Sequence, residues 1–246
     1  MPTETIIIIV LALAVGSFIR GITGIGLPLI AIPVMAGFIG VQNAVIIMVV
    51  PNIFLNSWLL WTYRQHRVAL PNIPFLIIAS VIGVGLGSWA LSTVSENILI
   101  IIMIVCLGLY LLKLTTKTDL KVPPAVSRFV SPVVVFIAGL IQGATGVSGP
   151  VAAPWAHSLK LPPQGYVFAL SLLFIVFAII QSLTYAWFGT LTLERIQFGL
   201  LSCLPVAVVL PASIYVARRI GKRQFDVLII TMLVLVEIRL IFKVLG

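Results

Sequence analysis

Uncharged apolar stretches of about twenty residues recur along the whole chain, each long enough to cross the hydrocarbon core of a bilayer as a helix. Composition agrees with that pattern. Of 246 residues, 61% are hydrophobic and 9% are charged, against about 45–50% and about 25% in soluble domains. No soluble domain of this size hides so much apolar surface, so the chain is expected to be an all-α integral membrane protein, a polytopic helical bundle. The opening MPTET carries Glu4 and no basic run, and a cleaved leader is not expected. Cys106 and Cys203 fall inside apolar stretches and read as small hydrophobes rather than as a disulfide or a metal pair. The formal charge of +9 reads as the basic bias of cytoplasmic loops. No motif speaks for nucleic acid, for a cofactor or for a bound metal, and no GxxxxGK[ST] loop speaks for ATP.

Two of the apolar stretches are interrupted in the same way. GITGIGLP (Gly21–Pro28) breaks the first, and GATGVSGP (Gly143–Pro150) breaks the fifth. At a constant offset of 122 residues, Gly21, Thr23, Gly24, Pro28 and Ala31 map to Gly143, Thr145, Gly146, Pro150 and Ala153. Further on, Gln42, Thr62 and Tyr63 map to Gln164, Thr184 and Tyr185. The chain therefore reads as a duplication, with a first transmembrane repeat over 1–114, a cytoplasmic linker over 115–128 and a second transmembrane repeat over 129–246. The blocks of the first half are Ile6–Phe38, Val41–Tyr63, Ile73–Ser92 and Ile98–Leu114. Those of the second are Phe129–Ala156, Tyr166–Phe188, Ile196–Val216 and Val227–Leu245.

A straight helix from Ile6 to Phe38 would run about 50 Å, too long for a core of about 30 Å. Folded at the break, the block becomes a hairpin with arms of about 15 residues that returns to its own side. A hairpin plus three full spans gives each half an odd number of net crossings. The second half is then inverted relative to the first. Charge placement agrees with that parity. One face collects eleven of the fifteen basic residues, among them Arg64, Arg67, Lys113, Arg128, Lys160 and the ARRIGKR segment, and the other holds Arg195, Arg239 and Lys243. The basic face is expected to be cytoplasmic, which puts both termini outside.

Broken helices at membrane depth occur where they are buried in protein or line a cavity. Inverted repeats with discontinuous helices are the recurring plan of secondary transporters. Proline suits the first turn of a helix, and glycine lets backbone approach a ligand closely. Free amides and the positive end of the helix dipole then favour an anion. The candidate anion site accordingly comprises Gly21, Thr23, Gly24 and Gly26 from the first break and Gly143, Thr145, Gly146, Ser148 and Gly149 from the second. Small residues also serve close helix packing; the duplication together with the proline favours the binding reading.

Arg20 directly precedes the first motif, and its mate at the repeat offset is Gln142. An arginine deep in an apolar helix is expensive and marks function. It either forks onto an oxyanion at mid-membrane or snorkels to the far interface. Asn52 and Asn56 lie four apart, on one helical face, and serve either the pathway or helix packing. Gln181, Thr184 and Tyr185 occupy the matching span of the second half. Carboxylates are scarce, with Glu237 alone inside an apolar stretch, so no proton relay or carboxylate sodium site is expected. His66 and His157 read as interfacial.

With these residues in view, GSFIRGITGIGLPLIAIPVM (Gly16–Met35) and AGLIQGATGVSGPVAAP (Ala138–Pro154) resemble the sulfite exporter TauE/SafE family of membrane transporters. The resemblance covers essentially the whole chain. It implies a non-enzymatic, multi-pass permease of the bacterial inner membrane that moves sulfite, sulfonates or related sulfur oxyanions. The family often carries a run of glycines at each motif. Here Gly24-Ile25-Gly26-Leu27 and Gly146-Val147-Ser148-Gly149 depart from that spacing, which leaves a permease or channel-like pore for small carboxylates or other anions as the alternative. Expected partners are the small anionic substrate and the lipid bilayer, with a homodimer through lipid-facing spans, and no nucleic acid.

Overall fold

The computed structural model describes residues 3–23, 27–116, 124–217 and 222–245. Among the described residues, regular structure is entirely helical. In the first half α1 (Thr3–Thr23) and α2 (Leu27–Ile39) flank the first Gly/Pro break, and α3 (Val41–Thr62), α4 (Ile73–Thr93) and α5 (Glu96–Thr116) follow. In the second half α6 (Pro124–Thr145) and α7 (Gly149–Ser158) flank the second break, followed by α8 (Pro163–Trp187), α9 (Leu193–Ala217) and α10 (Lys222–Leu245). Over their described residues α3, α4, α8 and α9 are long and apolar enough to cross a bilayer. Large apolar side chains such as Phe75, Leu109, Leu183 and Val208 point outward, while Ser80, Ser88, Asn52 and Gln181 are buried. That is the arrangement of a multi-pass membrane protein, whose surroundings are apolar and whose polar groups satisfy one another inside.

The arms of the two hairpins are unequal. The long arms α1 and α6 have 21 and 22 residues, the return arms α2 and α7 only 13 and 10. Apolar content marks where a helix enters lipid, whereas backbone hydrogen bonding continues into the polar residues ahead of it. Helix α1 therefore starts at Thr3 rather than Ile6, and α6 at Pro124 rather than Phe129, with proline in its first turn. At 1.5 Å per residue the long arms reach about 30 Å and the return arms about 15–20 Å. The same effect shortens the segment between the halves. Of residues 115–128 the ends are helical, and 117–123 lie outside the described residues.

Polar contacts gather the helix ends into two groups. At one end Lys243 Nζ on α10 donates to Ala36 O near the end of α2 and to Glu96 Oε1 at the start of α5, both at 2.6 Å. At that end, too, Arg195 near the start of α9 donates to Asn43 Oδ1 on α3 at 3.0 Å and to Thr190 O at 2.6 Å. At the other end His157 of α7 stacks edge-on against Tyr166 of α8, with centroids 6.3 Å apart. Gly165 of α8 meets Val68, in the loop after α3. So α2 and α7 finish in different groups.

The main pairings between helices recur when the halves are exchanged. Helix α1 packs on α9 and α6 on α4; α3 packs on α9 and α8 on α4; α3 meets α8, and α5 meets α10. Contacts of this kind join the halves along α3 and α8, which stand at the centre and carry buried Asn52, Asn56, Ser171 and Gln181.

The tightest crossing, α4 on α6, rests on four glycines. A Cβ at Gly83 would collide with Phe136 O, one at Gly87 with Leu140 O, and one at Gly143 with Val84 O. Gly139 packs against the Val84 backbone from the same face. Small residues spaced by four let two membrane helices touch backbone to backbone. Gly87→Leu is therefore expected to force α4 from α6, because backbone cannot yield as a side chain can. Overpacking costs typically about 1–3 kcal/mol, and more against backbone, so the variant should lose monodispersity and its thermal midpoint in detergent should fall. An unchanged midpoint would mean that the crossing has slack.

Candidate anion site

Described residues beside both breaks line one small cavity. Its lining comprises Arg20 from α1, Pro28 and Leu29 from the first turn of α2, Asn52 from α3, Gln142 from α6, Gly146 to Gly149 around the start of α7, and Phe174 from α8. The space measures about 10 Å³, about one water-sized sphere. A sulfur oxyanion does not fit there until the surrounding helices part.

Arg20 is 2% exposed. One guanidinium nitrogen, Nη2, donates to Asn56 Oδ1 at 2.9 Å and reaches Ser171 Oγ at 3.5 Å. The Phe174 ring lies 5.4 Å from the guanidinium carbon, within cation–π range. Its Nε is buried with no hydrogen-bond partner. The snorkelling reading therefore gives way to an inward one. Asn56 in turn donates Nδ2 to Asn52 O at 2.8 Å and to Asn52 Oδ1 at 2.7 Å. With that oxygen engaged, Asn52 has its amide NH₂ to offer the cavity. Among the described residues every partner of Arg20 is neutral and no carboxylate lines the space. Burying a cation without a counter-charge costs several kcal/mol, and such groups are kept where they bind something.

The opposite wall is built by the second break. Helix α6 ends at Thr145, and Gly146 follows with φ of +71°, a left-handed turn that glycine adopts without strain. Ending a helix orphans its last carbonyls. From α8, Tyr185 Oη takes up one, donating to Gly143 O at 2.7 Å, and Gln181 Nε2 adds a bond at 2.8 Å to Gln142 O, which also accepts from Gly146 N. Gln142, the repeat mate of Arg20, accepts at Oε1 from Ser148 Oγ at 2.6 Å and from Ser148 N at 3.3 Å. Its Nε2 donates to Gln181 Oε1 at 3.2 Å. With Ser148 so engaged and no side-chain cap on α7, the amide of Gly149 opens the helix ahead of any intrahelical acceptor. Pro150 brings no amide of its own.

Of the twelve residues expected at the site, Arg20, Asn52, Gln142, Gly146, Ser148 and Gly149 share this cavity. Two others have different work. Thr145 Oγ1 donates to Ile141 O and accepts from Val147 N, which shapes the turn, and Gly143 serves the α4–α6 crossing. Gly21 and Thr23 lie in the last turn of α1, whereas Gly24 and Gly26 lie outside the described residues. Asn56, Ser171 and Phe174 were not in that set. Phe174 stands 122 residues after Asn52, so the repeat offset points to it. Ser171 matches Val49 and left no such trace.

The profile of the sulfite exporter TauE/SafE family matches residues 8–240, from α1 to α10 and through both breaks. The chain belongs to the TauE/SafE family. Members of the TauE/SafE family are membrane transporters rather than enzymes, and its description names a sulfite exporter. No curated protein and no solved structure matches the chain. In this TauE/SafE protein the match takes in every residue of the cavity lining.

Proposed function

We propose that this protein carries sulfite or a small sulfonate across the bacterial inner membrane, holding the anion between the two helix breaks. The observation that carries the reading is Arg20, a buried guanidinium with neutral partners and an unpartnered Nε. It faces the starts of α2 and α7 across one cavity. A bound oxyanion would take the Nε–H of Arg20, the Asn52 amide and the Gly149 N–H, and would neutralise the guanidinium. Helix N-termini and charge-assisted bonds are suited to such a ligand.

Transport follows from exchange between two equivalent states. The main interhelix pairings recur under exchange of the halves, and a rocking of one half against the other about α3 and α8 would open the small cavity first to one face and then to the other. The face gathering Arg64, Arg67 and Lys160 would be cytoplasmic and the termini extracytoplasmic. Export of an anion is then driven by an inside-negative potential, about 2.3 kcal/mol per charge per 100 mV. No coupling ion is required in that direction.

The deciding experiment is sulfite flux in proteoliposomes, with a potassium–valinomycin potential of either sign. Saturable flux that follows the potential is the expected result. Flux that ignores the potential and follows a proton or sodium gradient would sink the uncoupled mechanism, and non-saturating flux without counterflow would replace the carrier by a pore.

A further inference from the structure

We propose that Gln142 alternates with the substrate at the second helix break: its side-chain oxygen holds donors that an oxyanion takes over on binding and gives back on release. The inference rests on the reading of the cavity as the anion site. It adds a residue that sets the site's affinity and lets the unloaded carrier return.

Hydrogen bonding at the second break can be followed amide by amide. Gly146 N–H goes to Gln142 O at 2.8 Å, and Val147 N–H to Thr145 Oγ1 at 3.3 Å. Pro150 has no N–H, and the amides of Val151 and Ala152 both bond Ser148 O. The donors left at this break on residues that line the cavity are Ser148 N–H, the Ser148 hydroxyl and Gly149 N–H. Gln142 Oε1 occupies two of these three, with Ser148 Oγ at 2.6 Å and Ser148 N at 3.3 Å. Ser148 stands at the N-cap of α7, so that oxygen lies where free donors and the helix dipole favour negative charge. A carboxamide oxygen is a neutral acceptor. An oxyanion is a stronger one for the same donors.

The carboxamide is not free to turn round and offer its NH₂ instead, because both ends of its network are fixed. Tyr185 Oη donates to Gly143 O, a carbonyl that can only accept, so Oη accepts from Gln181 Nε2 at 3.0 Å. Gln181 Nε2 also donates to Gln142 O, a second carbonyl. Gln181 therefore presents Oε1 to Gln142, which answers with Nε2 at 3.2 Å. At the other end Ser148 N–H can only donate. A reversed Gln142 would set oxygen against oxygen and N–H against N–H. Gln142 is thus an acceptor here and not a donor to the anion. Its repeat mate Arg20 carries donors only. One break supplies a cation that attracts the anion, and the other an oxygen that replaces it.

Replacement matters for the transport cycle. Buried donors left without an acceptor are costly, and net transport requires the carrier to cross back unloaded. Gln142 Oε1 keeps Ser148 satisfied on that return, and by the same bonds it weakens substrate binding.

The test is Gln142→Met, which keeps a long unbranched side chain and removes the oxygen. Equilibrium binding of radiolabelled sulfite to the purified protein gives the affinity. Proteoliposomes give net flux into sulfite-free vesicles and exchange flux into sulfite-loaded ones. Sulfite should bind about threefold to tenfold more tightly, the net worth of about one hydrogen bond, and net flux should fall relative to exchange. Gln181→Met releases Gln142 but leaves its oxygen in place. It should shift both readouts the same way by less, and it reads the sign should Gln142→Met fail to fold. Unchanged or weaker binding in the folded variants overturns the proposal. So does net flux that falls in step with exchange, the outcome of a glutamine that only supports the fold. Wild-type protein that neither binds nor carries sulfite overturns the anion-site reading beneath it, which separates the two failures.

Discussion

Arg20→Ala is expected to abolish sulfite flux while leaving the protein folded. The guanidinium is the single charge lining the cavity among the described residues, and stripping the partner from a buried ion costs about 3–5 kcal/mol, about a hundredfold or more in anion affinity. Folding should survive for the same electrostatic reason. Among the described residues Arg20 has no carboxylate to strand, so its removal relieves an uncompensated charge and leaves Asn56 Oδ1, and more weakly Ser171 Oγ, short of a donor, about 1–3 kcal/mol for a buried group. Arg20→Lys keeps the charge and loses the fork, and should retain a reduced flux. The measurement is a pair, thermal midpoint and sulfite flux on one preparation. Wild-type flux in the alanine variant would remove Arg20 from the mechanism whatever the midpoint does.

The second large effect is expected at Gly146, where two costs separate cleanly. Its φ of +71° strains any side chain, about 1–2 kcal/mol. A Cβ there would also collide with Ile32 Cδ1 and come within 3.4 Å of Val45. Gly146→Ala meets the strain and the flexible tip of Ile32, and should lower the midpoint with part of the flux retained. Gly146→Leu adds a branched side chain to a cavity of about 10 Å³ and should leave no measurable flux. Leucine at this position with wild-type flux would put the substrate path elsewhere. The alanine variant distinguishes that outcome from one in which strain alone has disabled the protein.

Much of the architecture was legible because its causes are local. A helix that must satisfy its backbone in lipid needs about twenty apolar residues, and such stretches are visible in any window of that length. Two breaks of similar composition at one offset are visible in the same way. Arginine in an apolar helix carried its own warning. The arm lengths were misread, as about 15 residues each, because hydropathy does not report where hydrogen bonding stops: Thr3 and Pro124 begin helices that are 21 and 22 residues long.

The glycines divide along the same line. Gly143 and Gly146 sit in one motif and look alike in the sequence, yet one meets the Val84 backbone and the other turns the chain through a positive φ beside the cavity. Thr145, between them, bonds within its own turn and does not line the cavity. A motif states which residue types are present and not which way each points, since direction depends on where the helix ends.

By itself the sequence determined a bundle of membrane helices, two Gly/Pro breaks and one costly arginine, because span length, proline geometry and the burial cost of a charge are properties of short segments. Only the tertiary structure decided that Arg20 turns inward to Asn56, Ser171 and Phe174, and that Tyr185 and Gln181 close the end of α6. Those partners lie up to 151 residues apart, and no local pattern encodes which distant side chain will complete a buried hydrogen bond. That is settled when the helices pack and every buried polar group must find a partner or keep a place for a ligand.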